Sequence, residues 1–167
     1  MGEVVSYVAQ KNLHLKQKDP SAFIIPCVIG NASFKRSLCD LSASISIMPK
    51  HVYDIFSLEP LIKTSITIQL VNCSFVYQLG VIEDVLVKIH SLVIPCDCYI
   101  LDIEYESCDS LNNNTPILFG RSFLKTANTK IDCGHDTLSM EVEDEKIELN
   151  FHDAMKYLFN NVYSITC

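Results

Sequence analysis

The strongest constraint on the fold of this chain is a series of short apolar segments separated by turn signals. These segments are rich in β-branched and aromatic side chains, or alternate apolar with polar residues, as strands do. The first group comprises residues 23–30, 33–41, 66–70, 75–77, 81–89 and 92–101. Turn signals lie between them at Gly30-Asn31, Asn72-Cys73 and His90-Ser91. Many strands at such close spacing predict a sandwich-like or closed β domain.

The second half of the chain continues this pattern and adds small helices. Strands are predicted at residues 129–132, 137–142 and 146–151, with a tight turn at Gly134 and an acidic hairpin at residues 141–145. Apolar residues recur at helical spacing in three further segments. Those segments are residues 49–56, 117–127 and 152–165. Gly80 is expected to end the strand that precedes it.

Length and composition predict one folded domain. The chain has 167 residues, of which 49% are hydrophobic and 20% charged, which suits a sizeable core and not a disordered chain. We expect residues 1–19 to form a lead-in or linker and residues 20–151 to form the domain. Residues 152–167 would then be a C-terminal helical extension.

The charge balance and the lack of long apolar runs argue against several classes of partner. The net charge is -7, with 13 basic and 20 acidic residues, whereas a nucleic-acid-binding domain usually carries a basic face. No apolar run approaches the roughly 20 residues that a helix needs to cross a bilayer. The start of the chain lacks a secretory h-region, so we expect an intracellular, cytoplasmic protein whose eight cysteines are reduced thiols.

The candidate for chemistry is Asp40, which follows an apolar strand and precedes a loop of mostly small residues. Those loop residues are Leu41, Ser42, Ala43 and Ser44. An aspartic protease needs two carboxylates that share one proton, and each carboxylate needs a tight loop that a substrate can approach. From this pentapeptide alone, an ordinary aspartate that caps a turn is the favoured interpretation.

Other residues offer weaker candidates. Asp132-Cys133-Gly134 would supply a second aspartate in the same chain, but the following His135-Asp136 favours a hairpin turn. Cys96 and Cys98 would share one face of a strand, and without nearby ligands they are interpreted as structural thiols. The five histidines are scattered, so a Cys–His hydrolase remains open but nothing favours it. No metal or cofactor is predicted.

Several separate motifs, in order, resemble a known family. Residues 23–30, residues 38–45 with Met48-Pro49, residues 80–88 and residues 116–124 are similar to the aspartic protease segment of plant long-terminal-repeat (gypsy-type) retrotransposon polyproteins. The similarity runs from about residue 19 to about residue 157, which is nearly the whole chain.

This resemblance implies an all-β, retropepsin-like closed barrel with a flap hairpin and one or two short helices. It implies a homodimer in which each subunit gives one catalytic aspartate, here Asp40, and a polypeptide substrate, here a retroelement polyprotein. The flap that folds over substrate matches Val71, Asn72, Cys73 and Ser74. Gly120 and Arg121 match the segment that braces the active-site loop, a structural role.

The chain departs from the family pattern at the active-site loop. Ser42 stands where the family has glycine, and we expect its side chain to crowd the cleft or to force a different backbone φ. Leu41 replaces a serine or threonine common in retropepsins, Phe119 adds bulk, and Ser122 replaces a usual proline. Two functions therefore stay open: an aspartic endopeptidase, or a catalytically degenerate domain for dimerisation or peptide binding.

Overall fold

The structure is a computed structural model that describes residues 23–56, 60–69, 75–102 and 117–150. The predicted lead-in and the predicted C-terminal helix lie outside these ranges, so the proposed division of the chain stays a prediction. In chain order the strands are β1 (Phe23–Ile29), β2 (Ala32–Cys39), β3 (Ser46–Pro49), β4 (Thr67–Gln69), β5 (Phe75–Ile89), β6 (Leu92–Leu101), β7 (Leu118–Phe119), β8 (Lys130–Asp132), β9 (Thr137–Val142) and β10 (Glu145–Asn150). The helices are α1 (Lys50–Tyr53) and α2 (Arg121–Thr126).

Within the described residues, six strands close into a barrel. Hydrogen bonds join them in the order β1, β2, β7, β3, β6 and β5, and β5 pairs back onto β1 through Val28↔Lys88 and Ile29↔Val87. β4 pairs with the outer end of β5. The predicted all-β closed barrel with one or two short helices is confirmed. None of the helices in the described part of the chain is long and apolar enough to span a bilayer.

The β5–β6 hairpin forms the largest part of the barrel wall. Inward and outward residues alternate along β6, so Leu92, Ile94 and Cys96 are buried while the residues between them are exposed. The expectation that Gly80 ends a strand is wrong, because β5 runs through it with a register shift. A Cβ at Gly80 would lie 2.7 Å from Leu61 Cβ. The glycine therefore allows the segment at Leu61 to pack closely against β5, and it does not break the strand.

The hairpin predicted as a flap has both of its arms in the described structure. β4 pairs with the start of β5 in the register Thr67↔Tyr77 and Gln69↔Phe75. The proposed flap residues between these arms lie outside the described residues. They are Val71, Asn72, Cys73 and Ser74.

The helix predicted at residues 117–127 is shorter than expected. Leu118–Phe119 instead form β7, which fills the space between β2 and β3 and is parallel to β2. The helix begins only at Arg121, because the backbone before it is used in the sheet. Phe119 of β7 is fully buried and stacks on Phe123 of α2 with ring centroids 4.2 Å apart. The extra bulk of this phenylalanine is therefore packed in the core.

A second sheet of three strands, β8, β9 and β10, packs against the barrel. Its predicted tight turns are present at residues 133–136 and 143–144. Leu138 and Met140 on β9 are fully buried, and the Glu141 N–H donates to Ala127 O at 2.9 Å. This hydrogen bond therefore fixes the C-terminal end of α2, the helix that follows β7.

Truncation of Phe119 should destabilise the fold strongly. The change Phe119→Ala removes a side chain that is fully buried and stacked on Phe123, so we expect a loss of about 3–5 kcal/mol in the free energy of unfolding, measured by urea titration. Leu86→Ala is the matched control, since Leu86 is 61% exposed, and it should cost less than about 1 kcal/mol. Equal losses for the two variants would contradict this placement of the core.

Candidate active site

Asp40 is the first residue after β2, and the sheet fixes its backbone. Its N–H donates to Phe119 O at 3.0 Å, and the Leu38 N–H donates to Ile117 O at 2.9 Å. Both bonds belong to the parallel pairing of β2 with β7, in the register Cys39↔Phe119. The Asp40 carboxylate therefore lies at the end of β2, and the pairing with β7 holds this strand end in position.

The loop after Asp40 is held on its other side by the start of α2. The Arg121 N–H donates to Ala43 O at 2.8 Å, and the Gly120 N–H donates to Oγ of the fully buried Ser46 at 3.1 Å. The Arg121 guanidinium donates through Nη1 to Leu41 O at 3.4 Å. The structure thus brings Gly120 and Arg121, the residues predicted as a brace, into contact with the loop that carries Asp40.

Gly120 packs so closely against the loop that no side chain fits there. A Cβ on Gly120 would lie 2.2 Å from Ile45 O and 2.5 Å from Ile45 C, both of them backbone atoms. Backbone atoms of a loop this tightly bonded cannot move aside as the end of a flexible side chain can. The loop and the segment before α2 are therefore packed backbone against backbone.

The side chain of Ser42 turns back toward Asp40. Its hydroxyl donates to Asp40 Oδ1 at 2.6 Å, and its backbone N–H donates to the same oxygen at 2.8 Å. Ser42 is also not one of the described non-glycine residues with positive φ. A serine therefore fits here in an ordinary backbone conformation with its side chain turned back to the carboxylate, and the expected crowding of the cleft or change in φ stays a prediction.

These hydrogen bonds shift the titration of Asp40. The Ser42 hydroxyl lowers the pKa of the Asp40 carboxyl below its usual value, and the backbone N–H groups of Ser42 and Ala43 lower it further against the opposing effect of partial burial. Because the pKa is lower in the folded chain, these bonds stabilise the fold above the unfolded pKa. That contribution is lost as the pH falls through the folded pKa.

An exposed apolar side chain lies beside the carboxylate. Leu41 is 53% exposed, although it directly follows Asp40 in the loop. With Arg121, Leu124 and Ile131 it lines a shallow depression of about 420 Å³. The Leu41 side chain is therefore an apolar group of this loop that solvent can reach.

The second Asp-x-Gly motif forms a turn, as predicted. Asp132 Oδ1 accepts the N–H groups of Gly134 at 2.9 Å and His135 at 3.1 Å, between β8 and β9. Asp132 Oδ2 lies 2.8 Å from His135 Nδ1, and this pairing lowers the pKa of Asp132 and raises that of His135. The Asp132 carboxylate is thus occupied by its own turn.

Cys96 and Cys98 share the inner face of β6, as the sequence indicated. Their Sγ atoms are 3.4 Å apart and both residues are buried. The hydrogen bond between the two thiols and burial together raise the pKa of Cys98 well above its usual value, which keeps it a neutral thiol. In the described part of the chain, no group of three or more potential ligands is placed to hold a metal ion.

Comparison with known proteins supports the fold. No family model matches the sequence, and no curated protein matches it. Among solved structures, this chain is similar to the retroviral protease-like domain of Ddi1 from Leishmania major, with 20% sequence identity and a TM-score of 0.56. The match covers 79% of this chain and 97% of that one. The chain therefore has a retropepsin-like fold.

The contact of Gly120 with the loop predicts a severe effect of the smallest substitution. Gly120→Ala places a methyl group against Ile45 O, so we expect a loss of about 3 kcal/mol in the free energy of unfolding. Gly134→Ala is the control, since its nearest neighbour is a side-chain atom, Asp132 Oδ1, at 3.3 Å. Chemical denaturation of both variants tests this, and a Gly120→Ala protein as stable as Gly134→Ala would refute the close packing.

Proposed function

We propose that this protein is an aspartic endopeptidase of retropepsin type, with Asp40 from each of two identical subunits as the catalytic pair. The single observation that supports it most is the setting of Asp40. In a retropepsin-like barrel, its carboxylate stands at the end of β2, and Oδ1 is held by two donors from Ser42. The proposed active-site loop is completed by Leu41, Ala43 and Ser44.

The proposed reaction uses the two carboxylates as one acid–base unit. Two like charges at short distance cannot both ionise easily, so the pair holds one proton over a range of pH. The ionised member takes a proton from water, which attacks the peptide carbonyl carbon, while the protonated member donates to the carbonyl oxygen. No covalent intermediate forms, so this chemistry calls for no serine or cysteine nucleophile and for no cofactor.

The requirement for a second carboxylate supports a homodimer. Within the described residues, the other Asp-x-Gly motif uses its carboxylate to close a turn, so it is a poor second member. Leu41 supports the same conclusion, because an apolar side chain exposed beside Asp40 is stabilised when a second subunit covers it. On this proposal the two Leu41 side chains meet near the two-fold axis.

The proposed substrate is a polypeptide, and the sequence resemblance favours a retroelement polyprotein. The pairing of β4 with β5 supports this assignment, since these two arms flank in sequence the residues that would serve as the flap. We propose Val71, Asn72, Cys73 and Ser74 as the flap residues that cover the substrate. A reducing, intracellular location is part of the same proposal, and the described cysteines are free thiols.

Ser42 also favours a second candidate, a degenerate domain that dimerises or binds peptides without cleaving them. The family has glycine at this position, and here an exposed hydroxyl occupies one carboxylate oxygen. The two candidates differ in one measurable respect, because only the first cleaves a polypeptide.

Replacement of Asp40 should abolish cleavage. Asp40→Asn keeps the shape of the side chain but cannot share a proton, so we expect the cleavage rate of an unstructured protein at mildly acidic pH to fall at least about 100-fold. Asp132→Asn is the matched control and should keep the parent rate, since Asp132 serves a turn. Cleavage that survives Asp40→Asn would exclude the aspartate mechanism. A parent protein that cleaves nothing would favour the degenerate domain.

The dimer should depend on Leu41. In sedimentation velocity experiments over a range of concentrations, we expect the parent chain to form dimers. We expect Leu41→Glu to raise the dissociation constant of the dimer at least tenfold, because a charge would be buried at the interface. Leu86→Glu is the control, since Leu86 is also exposed but lies on β5. A parent chain that stays monomeric at high concentration would remove the catalytic pair.

A further inference from the structure

The hydroxyl of Ser42 is the feature of the loop that the proposed reaction does not use. Ser42 has two donors, and both donate to the same atom, Asp40 Oδ1. The hydroxyl lies 2.6 Å from it and the backbone N–H 2.8 Å. A glycine at this position would keep the backbone bond and lose the hydroxyl bond. The serine therefore adds one donor to the carboxylate without removing the other.

We propose that Ser42 is a positioning residue that stabilises the ionised form of Asp40, so that the protease works in a more acidic range than it would without this hydroxyl. This inference rests on the proposed function. A hydroxyl that donates to a carboxylate makes a short charge-assisted hydrogen bond, which is weakened when the carboxyl group gains a proton. The state in which the two carboxylates share one proton is then reached only at a lower pH.

Few other groups that titrate face Asp40 from the elements packed against its loop. β7 and β3 contribute none, since their sequences are Leu118–Phe119 and Ser46–Pro49. α2 contributes the exposed side chains of Arg121 and Lys125. On the side of β2, burial raises the pKa of the Cys39 thiol to about 12, so it stays neutral throughout.

The lowered pKa of Asp40 agrees with this geometry. Its largest cause is the side-chain hydrogen bond from Ser42, and no charged side chain of the described residues is among its causes. In a dimer, each of the two carboxylates would receive the same donors. Like-charge repulsion between them raises the pKa of one, while the two hydroxyls hold both values lower than in a pair without them.

The test is a titration of the Asp40 carboxyl carbon by nuclear magnetic resonance, in the full chain, together with a pH profile of cleavage. We expect Ser42→Ala to move the Asp40 titration and the acidic range of cleavage toward neutral pH. Ser42→Thr keeps a hydroxyl and should titrate like the parent. Ser33→Ala, an exposed serine on β2, is the control for removal of a surface hydroxyl and should change neither quantity.

The outcomes separate this inference from the proposed function. If cleavage depends on Asp40 but neither the titration nor the pH profile moves in Ser42→Ala, the role of Ser42 is refuted and the protease stands. If the titration moves but no variant cleaves, the protease is refuted, and with it the acidic working range. Thermal unfolding of each variant confirms that the fold is intact, which we expect because Ser42 and Ser33 are exposed.

Discussion

The contact between Gly120 and the backbone of Ile45 is the constraint on which the site depends. It lies where two distant parts of the chain, and the strands that carry them, come close enough to form hydrogen bonds. Arg121 then bonds Ala43 and Leu41, Gly120 bonds Ser46, and Asp40 bonds Phe119. Because the approach is tighter than any side chain allows, the loop has little freedom to place its carboxylate elsewhere.

The same constraint explains why a two-residue strand matters. β7 is too short to contribute much to the barrel by itself, but it lies between β2 and β3 and leads directly into Gly120. The stacked pair of Phe119 and Phe123 anchors it in the core, and β9 bonds the far end of α2 through Glu141. The second sheet thus supports the loop that carries Asp40 through α2.

The strands were predictable because alternation and turn residues are local signals. The β1–β2, β5–β6 and β8–β9 hairpins follow directly from apolar alternation around Gly30, His90 and Gly134. Gly80 and the start of α2 were not predictable in this way, because their causes are distant in sequence. Gly80 allows close packing of Leu61 against β5. Helix α2 begins later than predicted because the backbone before it forms hydrogen bonds with β2 and β3.

Ser42 shows what a sequence pattern leaves out about a substituted residue. Loss of a glycine suggests crowding, because a pattern records which residue is usual and not which way a new side chain turns. In the structure this side chain turns toward Asp40 and donates a hydrogen bond to its carboxylate. The hydroxyl therefore favours the ionised form of the carboxylate. Since two ionised carboxylates repel one another, a stronger preference for the ionised form also opposes close approach of two subunits. On the proposed mechanism, proton uptake and dimer formation are therefore coupled, and acid favours both.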